Sequence, residues 1–336
     1  MPMRIGVIGL GRMGSFYAEV VAGLGGKARL AAVVGPDASV RAALLSRLGA
    51  DQAYADIGSA LESGGLDAVI VATPTSAHPD VVMAAASAGK AIFCEKPLAL
   101  TLTRTRETLT AVRHAGVLLQ IGFMRRFDAV HVQAKAAIEA GQIGQPLMFK
   151  SIGRDPGCPP VAFADPVHSG GLIIDMGIHE FDLARWFMSS EVEHVSAEGS
   201  LLACDELRAV GDIDNATVNL RFASGALGNI EVSRTARYGY DIRSEVLGSN
   251  GAVRVGGRSS DAVEVLHPQV GQDPTPPFVH RFADAYRAQI VDFVECVQHD
   301  RPPRAGGDDA LAAIQIAEAA TLAARNGRRV EVSGHV

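Results

Sequence analysis

The sequence predicts an α/β protein of two domains: a doubly wound parallel sheet, then an α+β domain with a large, mainly antiparallel sheet. Three observations support this prediction. The chain has 336 residues, more than the length at which one hydrophobic core keeps growing. Its first third alternates apolar strand patterns with helical patterns. Its later part carries alternating β segments joined by short turns. We place the two domains at 1–122 and 123–336.

The first domain contains five nearly continuous apolar runs, which is typical of strands buried on both faces of a parallel sheet. The predicted strands span residues 4–8, 29–34, 67–72, 91–94 and 117–121, and helical stretches at 15–21, 40–48, 79–88 and 103–114 separate them. Ligands of such sheets bind outside the carboxyl ends of the strands. We therefore expect site residues in the segments that directly follow strands.

The second domain begins where the alternation of strand and helix stops. Helices are predicted at 130–140, 172–188, 281–298 and 307–326, and a strand at 147–152 precedes an irregular segment, 154–171, that is rich in Pro and Gly. Four β segments, 213–222, 226–234, 242–247 and 252–255, have the short connecting turns of an antiparallel meander. Because helices cover one face of such a sheet, its other face predicts a homo-oligomer.

The first predicted strand runs directly into a glycine-rich turn, Gly9-Leu10-Gly11-Arg12-Met13-Gly14, and a helical stretch follows. In this context a GxGxxG pattern indicates dinucleotide binding, although an ordinary βα turn is the alternative. Gly9 permits the tight turn, Gly11 lets the backbone approach a pyrophosphate, and Gly14 lets the helix pack on the strand. The anion would bind N–H groups at the helix N-terminus, beside Arg12 and Met13.

The residues after the second strand leave the choice between NAD and NADP open. NAD sites place a carboxylate there, about 20 residues after the glycines, where it binds the ribose 2′-hydroxyl. Gly35 occupies that position, and Asp37 is the nearest carboxylate. Arg12 or Arg41 can compensate the charge of a 2′-phosphate, whereas Asp37 can reach back to a ribose. We therefore predict NAD or NADP as the cofactor, with Gly35 and Asp37 among its binding residues.

Charge and composition exclude several classes of partner. The net charge of −6 argues against a nucleic-acid surface, which usually carries a basic excess. No apolar run reaches the roughly 18 residues of a membrane-spanning helix, and no export leader precedes the first strand. The four cysteines are Cys94, Cys158, Cys204 and Cys296. Because they are widely spaced, with no CxxC pair, they predict reduced thiols in a cytoplasmic protein, with no metal.

Glu95-Lys96-Pro97 directly follows a predicted strand. A lysine at the carboxyl end of a strand points toward the cofactor crevice, where its ammonium group can hydrogen-bond a substrate hydroxyl and favour the alkoxide. Pro97 would fix the turn that aims the lysine. The alternative is an exposed lysine in a solvated loop.

Asp175, His179 and Asp182 have the spacing that places three side chains on one face of the predicted helix 172–188. A histidine that titrates near neutrality and is oriented by carboxylates suits removal of a proton from an alcohol. Two alternatives are a solvent-facing polar stripe and a metal site, for which Cys158 and His168 offer further ligand types.

These motifs, in this order, resemble the glucose–fructose oxidoreductase / inositol dehydrogenase / rhizopine catabolism family. The glycine motif, Glu95-Lys96-Pro97 and the Asp175–His179 pair resemble the family as a whole, in which the Lys-Pro bond is commonly cis. Segments 122–128, 154–156 and 238–241 resemble its inositol 2-dehydrogenase branch. The resemblance covers nearly the whole chain and implies an N-terminal Rossmann domain.

The resemblance also implies an activity: an NAD(P)-dependent dehydrogenase that oxidises a cyclic polyol, such as myo-inositol, to a ketone. It implies that Lys96, Asp175 and His179 are the catalytic residues and also contact the polyol. The remaining implied contacts are Thr73, Pro74, His78 and Glu95 on the nicotinamide side, and Arg125, Asp155 and Tyr238 on the polyol. Relatives of this kind form dimers and tetramers.

Several alternatives stay open at the level of sequence. Gly35 departs from the acidic residue of relatives that use NAD. Arg125 can belong to a surface pair with Arg126, and Tyr238 or Tyr240 can be a packing residue with a satisfied hydroxyl group. An aldose 1-dehydrogenase and a glycosidase that oxidises and re-reduces its sugar on a bound nicotinamide are alternative enzymes. A non-catalytic cofactor sensor is a third, but it needs none of the three catalytic candidates.

Overall fold

The structure is a computed structural model that describes residues 1–256, 266 and 277–332. It divides into two compact units, Met1–Phe127 with Asp284–Leu311, and Asp128–Ala283 with Ala312–Val336. The single boundary at residue 122 stays a prediction, and the sequence carries no signal for the return of 284–311 to the first unit. Among the described residues, we find no helix with the length and hydropathy of a bilayer span.

Six strands form a parallel sheet in the first unit, as the alternating pattern predicts. They are β1 (Met3–Ile8), β2 (Ala28–Val34), β3 (Gln52–Tyr54), β4 (Ala68–Val71), β5 (Ala91–Cys94) and β6 (Leu119–Ile121), in the order β3-β2-β1-β4-β5-β6. Every neighbouring pair is parallel. Strand order reverses between β1 and β4, so a ligand crevice is expected at the carboxyl ends of these two strands. The short edge strand β3 was not predicted.

Five helices connect these strands: α1 (Arg12–Ala22), α2 (Ala38–Leu48), α3 (Ile57–Glu62), α4 (His78–Ser87) and α5 (Leu102–Ala115). Side-chain caps explain where three of them begin. Asp37, Asp56 and Thr101 accept backbone N–H groups at the starts of α2, α3 and α5. Gly11 precedes α1 and provides no side-chain cap.

The second unit contains a mixed sheet of seven strands. They are β7 (Pro146–Arg154), β8 (Val192–Ser200), β9 (Asn215–Phe222), β10 (Leu227–Ser233), β11 (Asp241–Gly248), β12 (Gly251–Val255) and β13 (Val330–Glu331), in the order β12-β11-β7-β10-β9-β8-β13. The β7–β10 pair is parallel and the other described pairs are antiparallel. The mainly antiparallel sheet is confirmed, although β8 and β13 were not predicted.

Five helices of the second unit lie between β6 and β8: α6 (Ala129–Glu139), α7 (Val161–Ala164), α8 (Pro166–Ser169), α9 (Gly171–Asp175) and α10 (Gly177–Met188). The single helix predicted at 172–188 is therefore wrong, because the chain forms α9 and α10 with a break at Met176. A Cβ on Gly177 would lie 3.0 Å from the Phe181 ring, a tight contact that glycine avoids. Glycine weakens a helix interior, and the break falls beside it.

Three helices close the chain: α11 (Pro277–Arg281), α12 (Ala283–His299) and α13 (Gly307–Asn326). The two long helices agree with the predicted ones. From Asp284 onward α12 belongs to the first unit, where the side-chain amide of Gln120 donates to the backbone carbonyl of Gln289 at 2.8 Å.

Cys158 and Cys204 form a disulfide, with Cα atoms 5.6 Å apart, so the prediction of four reduced thiols is wrong. The 46 residues between them conceal their proximity in the sequence. Asp214 accepts the backbone N–H groups of Leu202, Ala203 and Cys204, which holds the segment that carries Cys204. Cys158 is therefore not a thiolate ligand. Within the described residues, no cluster of His, Cys, Asp and Glu could hold a metal ion.

We expect the wild-type protein, denatured without reductant, to titrate with two equivalents of a thiol reagent, from Cys94 and Cys296. Replacing both Cys158 and Cys204 by serine should leave this count unchanged. It should lower the free energy of unfolding by about 2–4 kcal/mol, because the disulfide restricts the unfolded chain. Four reactive thiols in air-oxidised wild-type protein would contradict the disulfide.

Candidate active site

The turn between β1 and α1 is so tightly packed that two of its glycines admit no side chain. Gly9 has a φ of +87°, and a Cβ there would lie 2.6 Å from backbone atoms of Ala72 and Thr73. A Cβ on Gly14 would lie 1.7 Å from the Gly9 carbonyl oxygen. At Gly11, by contrast, no described heavy atom beyond the local backbone lies within 4 Å of the Cβ position. This open space lets a ligand approach the backbone.

The first turn of α1 is suited to an anion. Arg12 and Met13 begin the helix, and Gly11 before them makes no side-chain capping bond. Backbone N–H groups in the first turn of a helix lack intrahelical acceptors and form the positive end of the helix dipole. A pyrophosphate satisfies both features, so these residues fit a dinucleotide cofactor.

A cavity of about 560 Å³ lies in the first unit at the carboxyl ends of β1, β2 and β4. Its walls are mainly apolar, which suits a nucleoside. The predicted cofactor-binding residues that line it are Gly9, Gly11, Gly35, Asp37, Thr73 and Pro74. The structure therefore brings together half of the predicted cofactor site at the point where strand order reverses.

Asp37, the nearest carboxylate after β2, acts as the N-cap of α2. Its Oδ1 accepts the backbone N–H and the hydroxyl of Ser39 at 2.8 and 2.6 Å. These bonds lower the pKa of the Asp37 carboxyl. Arg41 donates to the carbonyl oxygens of Gly35 and Pro36 at 2.5 and 2.9 Å. The loop after β2 is thus ordered by its own polar groups, with an anionic side chain in the cavity wall.

Lys96 lies in a turn built on a buried carboxylate. The Lys96–Pro97 peptide bond is cis, as in the family that the sequence resembles. Glu95 is buried, and its Oε2 accepts the backbone N–H of Lys96 at 3.1 Å, while the Tyr17 hydroxyl donates to its Oε1. Burial raises the pKa of the Glu95 carboxyl. Lys96 itself is partly exposed, which leaves its side chain accessible to a ligand.

His78 connects this turn to the loop after β4. Its Nδ1 lies 2.8 Å from the Pro97 carbonyl oxygen and its Nε2 lies 2.9 Å from the Thr73 carbonyl oxygen. Burial lowers the pKa of the imidazole, and the hydrogen bonds to the two carbonyl oxygens oppose this shift, because only the protonated ring can donate to both. His78 thus bridges two segments that were predicted to lie on the nicotinamide side.

Arg125 and Arg126 lie in the 3-10 turn Met124–Phe127, and both are buried. Arg126 donates to the Arg304 carbonyl at 2.8 Å and pairs with Asp309 at 2.7 Å. The interpretation of these arginines as a surface pair is therefore wrong. Arg125 stays a predicted substrate contact.

In the second unit, a buried arginine that the sequence analysis missed holds Asp175. Arg234 directly follows β10, and its side chain is 2% exposed. It pairs with Asp212 at 2.9 Å and with Asp175 at 3.3 Å. Asp212 also accepts the backbone N–H of Leu172 at 3.1 Å, so one cation connects both ends of α9. The available signal was an arginine at the end of the predicted strand 226–234.

His179 lies in the first turn of α10 and is partly exposed. Asp175 ends α9 and His179 lies in α10, while Met176 between them keeps right-handed helical backbone angles, so the shared face of Asp175, His179 and Asp182 stays a prediction. Asp182 is buried, which excludes a purely solvent-facing stripe. Glu180 is also buried and accepts a hydrogen bond from the Ser151 hydroxyl of β7, which anchors α10 on the sheet beside His179.

Asp155 and Tyr238 lie beyond the carboxyl ends of the parallel strands β7 and β10. The Asp155 backbone N–H donates to the Ser233 carbonyl at 2.8 Å. The Tyr238 hydroxyl accepts from Arg154 at 2.7 Å and donates to Asp241 at 2.8 Å. Burial raises the pKa of Tyr238, which keeps the hydroxyl protonated at neutral pH. These partners satisfy the Tyr238 hydroxyl group, and its contact with the polyol stays a prediction.

The candidates thus fall into two groups. Lys96, Arg125 and the predicted cofactor residues lie in the first unit, and Asp155, Asp175, His179 and Tyr238 lie in the second. Most residues of each group lie after the carboxyl ends of parallel strands. Asp175 and His179 lie where α9 is followed by α10.

Comparison with known proteins identifies the family. Residues 3–123 match the model of an oxidoreductase family with an NAD-binding Rossmann fold, and residues 135–332 match the C-terminal alpha/beta domain of the same family. The chain belongs to the Gfo/Idh/MocA oxidoreductase family.

Two relatives in this family align over nearly their whole length. The scyllo-inositol 2-dehydrogenase (NAD(+)) of Bacillus subtilis is 39% identical, over 98% of this chain and 96% of its own. The myo-inositol 2-dehydrogenase of Thermotoga maritima is 39% identical, over 98% of each chain. The crystal structure of scyllo-inositol dehydrogenase from Lactobacillus casei with bound NAD(H) and scyllo-inositol superimposes with a TM-score of 0.89 at 28% identity, over 99% of this chain and all of that one.

These matches confirm the family resemblance, the Rossmann domain and the α+β second domain that the sequence predicts. As a Gfo/Idh/MocA family member, the chain carries an NAD-binding domain, with which the turn at Gly9–Gly14 and the cavity of the first unit are consistent.

Substituting Gly11 and Gly14 separates cofactor binding from folding. Gly11 has a φ of −68°, which alanine adopts without strain, so Gly11→Ala should fold normally. Its methyl group would occupy the open approach to the turn and should weaken NAD binding by about tenfold or more, measured by calorimetry. Gly14→Ala is the contrasting variant, expected to lose thermal stability because its Cβ meets the Gly9 carbonyl. Wild-type NAD affinity in Gly11→Ala would contradict this assignment.

Proposed function

We propose that this protein is an NAD-dependent inositol 2-dehydrogenase, which oxidises one hydroxyl group of an inositol to the ketone, an inosose. The observation that carries this proposal is similarity over nearly the full chain to dehydrogenases named for scyllo-inositol and myo-inositol. The presence of Lys96, Asp175 and His179 in this chain supports it further, since these residue types supply the required acid–base chemistry.

In the proposed reaction, His179 accepts the proton of the reacting hydroxyl group. Lys96 donates a hydrogen bond to the same oxygen and stabilises its alkoxide character electrostatically. Asp175, held by Arg234, accepts a hydrogen bond from a neighbouring hydroxyl. NAD, when bound, supplies the nicotinamide that takes up the hydride from the carbon atom.

The proposed binding residues follow the resemblance. For the cofactor they are Gly9, Gly11, Arg12, Met13, Gly14, Gly35, Asp37, Thr73, Pro74, His78, Glu95 and Lys96. For the polyol they are Lys96, Arg125, Asp155, Asp175, His179 and Tyr238. A polyol offers many neutral hydroxyl groups, so aspartate, tyrosine and arginine suit it as partners.

We propose NAD rather than NADP as the preferred cofactor. The Asp37 carboxylate lines the cavity, and its pKa is lowered, so a negative charge persists there at neutral pH. A carboxylate at this place repels a 2′-phosphate and can bind a 2′-hydroxyl. Arg41, the candidate partner of a 2′-phosphate, already donates to two backbone carbonyls.

We also propose that the protein is a homo-oligomer. Leu227, Met148 and Leu247 are paired across β10, β7 and β11, and all three are exposed. This row gives the outer face of the sheet an apolar band, of the kind that interfaces cover.

The cytoplasmic location stays a prediction. The Cys158–Cys204 disulfide is of a type more frequent in oxidising compartments.

Assays of inositols, aldoses and glycosides with NAD and with NADP test the function. We expect reduced-nicotinamide absorbance to rise with myo-inositol or scyllo-inositol and NAD. His179→Ala should lower kcat by about 10²- to 10⁴-fold without changing the affinity for NAD, because it removes the general base. Turnover with aldoses alone would point to an aldose dehydrogenase. Glycoside cleavage without net NADH would point to a redox glycosidase, and no turnover would favour a sensor.

Light scattering tests the oligomer. Met148→Glu places a charge in the middle of the apolar band, and we expect it to reduce the molar mass in solution to that of a smaller species. Leu202→Glu is the matched control, because Leu202 is also exposed but lies outside the strands. A monomeric wild-type protein would contradict the proposed assembly.

A further inference from the structure

A buried chain of hydrogen bonds lies beneath the Lys96 turn, and the proposed reaction makes no use of it. The side-chain amide of Gln289, in α12, donates to the Tyr17 hydroxyl oxygen at 2.8 Å. Tyr17, in α1, donates in turn to Oε1 of Glu95. The second oxygen, Oε2, accepts the backbone N–H of Lys96 at 3.1 Å. The chain therefore runs from a helix of the C-terminal segment to the backbone of a proposed catalytic residue.

We propose that Tyr17 is a positioning residue for the dehydrogenation: its hydroxyl group keeps the Glu95 carboxylate ionised and correctly placed, and Glu95 thereby orients Lys96. This inference rests on the proposed function, in which Lys96 binds the reacting oxygen. Tyr17 itself touches neither substrate nor cofactor in this scheme.

The packing around Glu95 leaves its carboxylate little freedom to move. A Cβ on Gly122, which directly follows β6, would lie 3.1 Å from this carboxyl group. The backbone at Gly122 therefore packs against one side of the Glu95 carboxyl group. Tyr17 is fully buried, with its ring centroid 5.5 Å from that of Phe93 and 6.3 Å from that of Tyr286, both edge-on. The neighbouring rings thus restrict the Tyr17 ring, and its hydroxyl group stays within hydrogen-bond distance of Glu95.

The ionisation of the Glu95 carboxyl group depends on the hydrogen bond from Tyr17. Burial raises the pKa of Glu95, whereas the hydrogen bond from Tyr17 and the charge of Lys96 lower it. Burial and the Glu95 charge together raise the pKa of Tyr17 well above its usual value, so the proton stays on the phenol. A buried carboxylate that loses its donor takes up a proton more readily.

Two further groups stand next to Glu95 along the chain: Cys94, the last residue of β5, and Lys96. Burial, followed by the Glu95 charge, raises the pKa of the Cys94 thiol well above its usual value. His78, on the other side of this turn, also interacts with the charge of Lys96, and burial lowers the pKa of its imidazole. Protonation of Glu95 as the pH falls removes the negative charge that the Lys96 backbone N–H contacts.

The test is the pH dependence of kcat/KM with an inositol and NAD. Without the Tyr17 hydroxyl, Glu95 protonates at higher pH. For Tyr17→Phe we therefore expect the acidic limb to move to higher pH by about one unit, since a hydrogen bond to a charged group has roughly this effect. Below the shifted limb kcat/KM should fall by up to about tenfold relative to the wild type, and it should recover at alkaline pH, with an unchanged NAD dissociation constant. Glu95→Gln, which cannot ionise, should not recover at any pH.

Two further variants control for structure. Thr108→Val removes another buried hydroxyl of the first unit, which donates to the Arg104 carbonyl at 2.7 Å, and should leave the acidic limb unchanged. Gln289→Met removes the donor to Tyr17 and should shift the limb in the same direction by less. It also provides the test if Tyr17→Phe does not fold.

Lys96→Ala separates the two proposals. If Lys96→Ala is as active as the wild type, the proposed reaction is wrong. If Lys96→Ala is inactive while Tyr17→Phe and Gln289→Met keep the wild-type pH profile, only the role of Tyr17 is overturned. An equal loss of kcat/KM at every pH in Tyr17→Phe would also overturn it, because that result indicates a purely structural role.

Discussion

The close approach of two backbones, at the turn after β1 and the loop after β4, is the constraint on which the first unit depends. Gly9 meets Ala72 and Thr73 at a distance that no side chain permits, and Gly14 meets Gly9 in the same way. This approach brings the start of α1 to the carboxyl ends of β1 and β4, where the cavity lies. It also sets the path of α1, one turn later, so that Tyr17 reaches the carboxylate that follows β5. Cofactor space and support for the Lys96 turn therefore have a common origin.

In the second unit, a buried arginine fixes the position of Asp175. Arg234 would be costly to bury alone, but two aspartates compensate its charge, one at each end of the short helix α9. A mispaired arrangement of these three groups would leave an uncompensated charge in the interior. The pairing thus favours one placement of α9, and with it one placement of Asp175. Buried Glu180 and Ser151 fix α10 on the sheet by the same principle.

Local patterns predicted the elements that are long and strongly periodic, and missed those that are short or irregular. The five apolar strands and the helices α12 and α13 were predicted because their patterns extend over several residues. The edge strand β3 has only 3 residues, and β8 does not alternate regularly between buried and exposed positions, so neither gave a pattern. The break at Met176 was missed because a single glycine, Gly177, is tolerated inside many helices, and its tight packing against the Phe181 ring is a tertiary contact.

The sequence alone determined the fold class, the family resemblance and the identities of the proposed catalytic residues. These depend on motifs that are contiguous or lie next to a strand. Only the tertiary structure decided which polar residues support them. Tyr17 and Glu95 are 78 residues apart, Arg234 and Asp175 are 59 apart, and the two disulfide cysteines are 46 apart. No local periodicity links such positions. A buried polar group takes its partner from whichever element packs against it, and that choice is made when the chain folds.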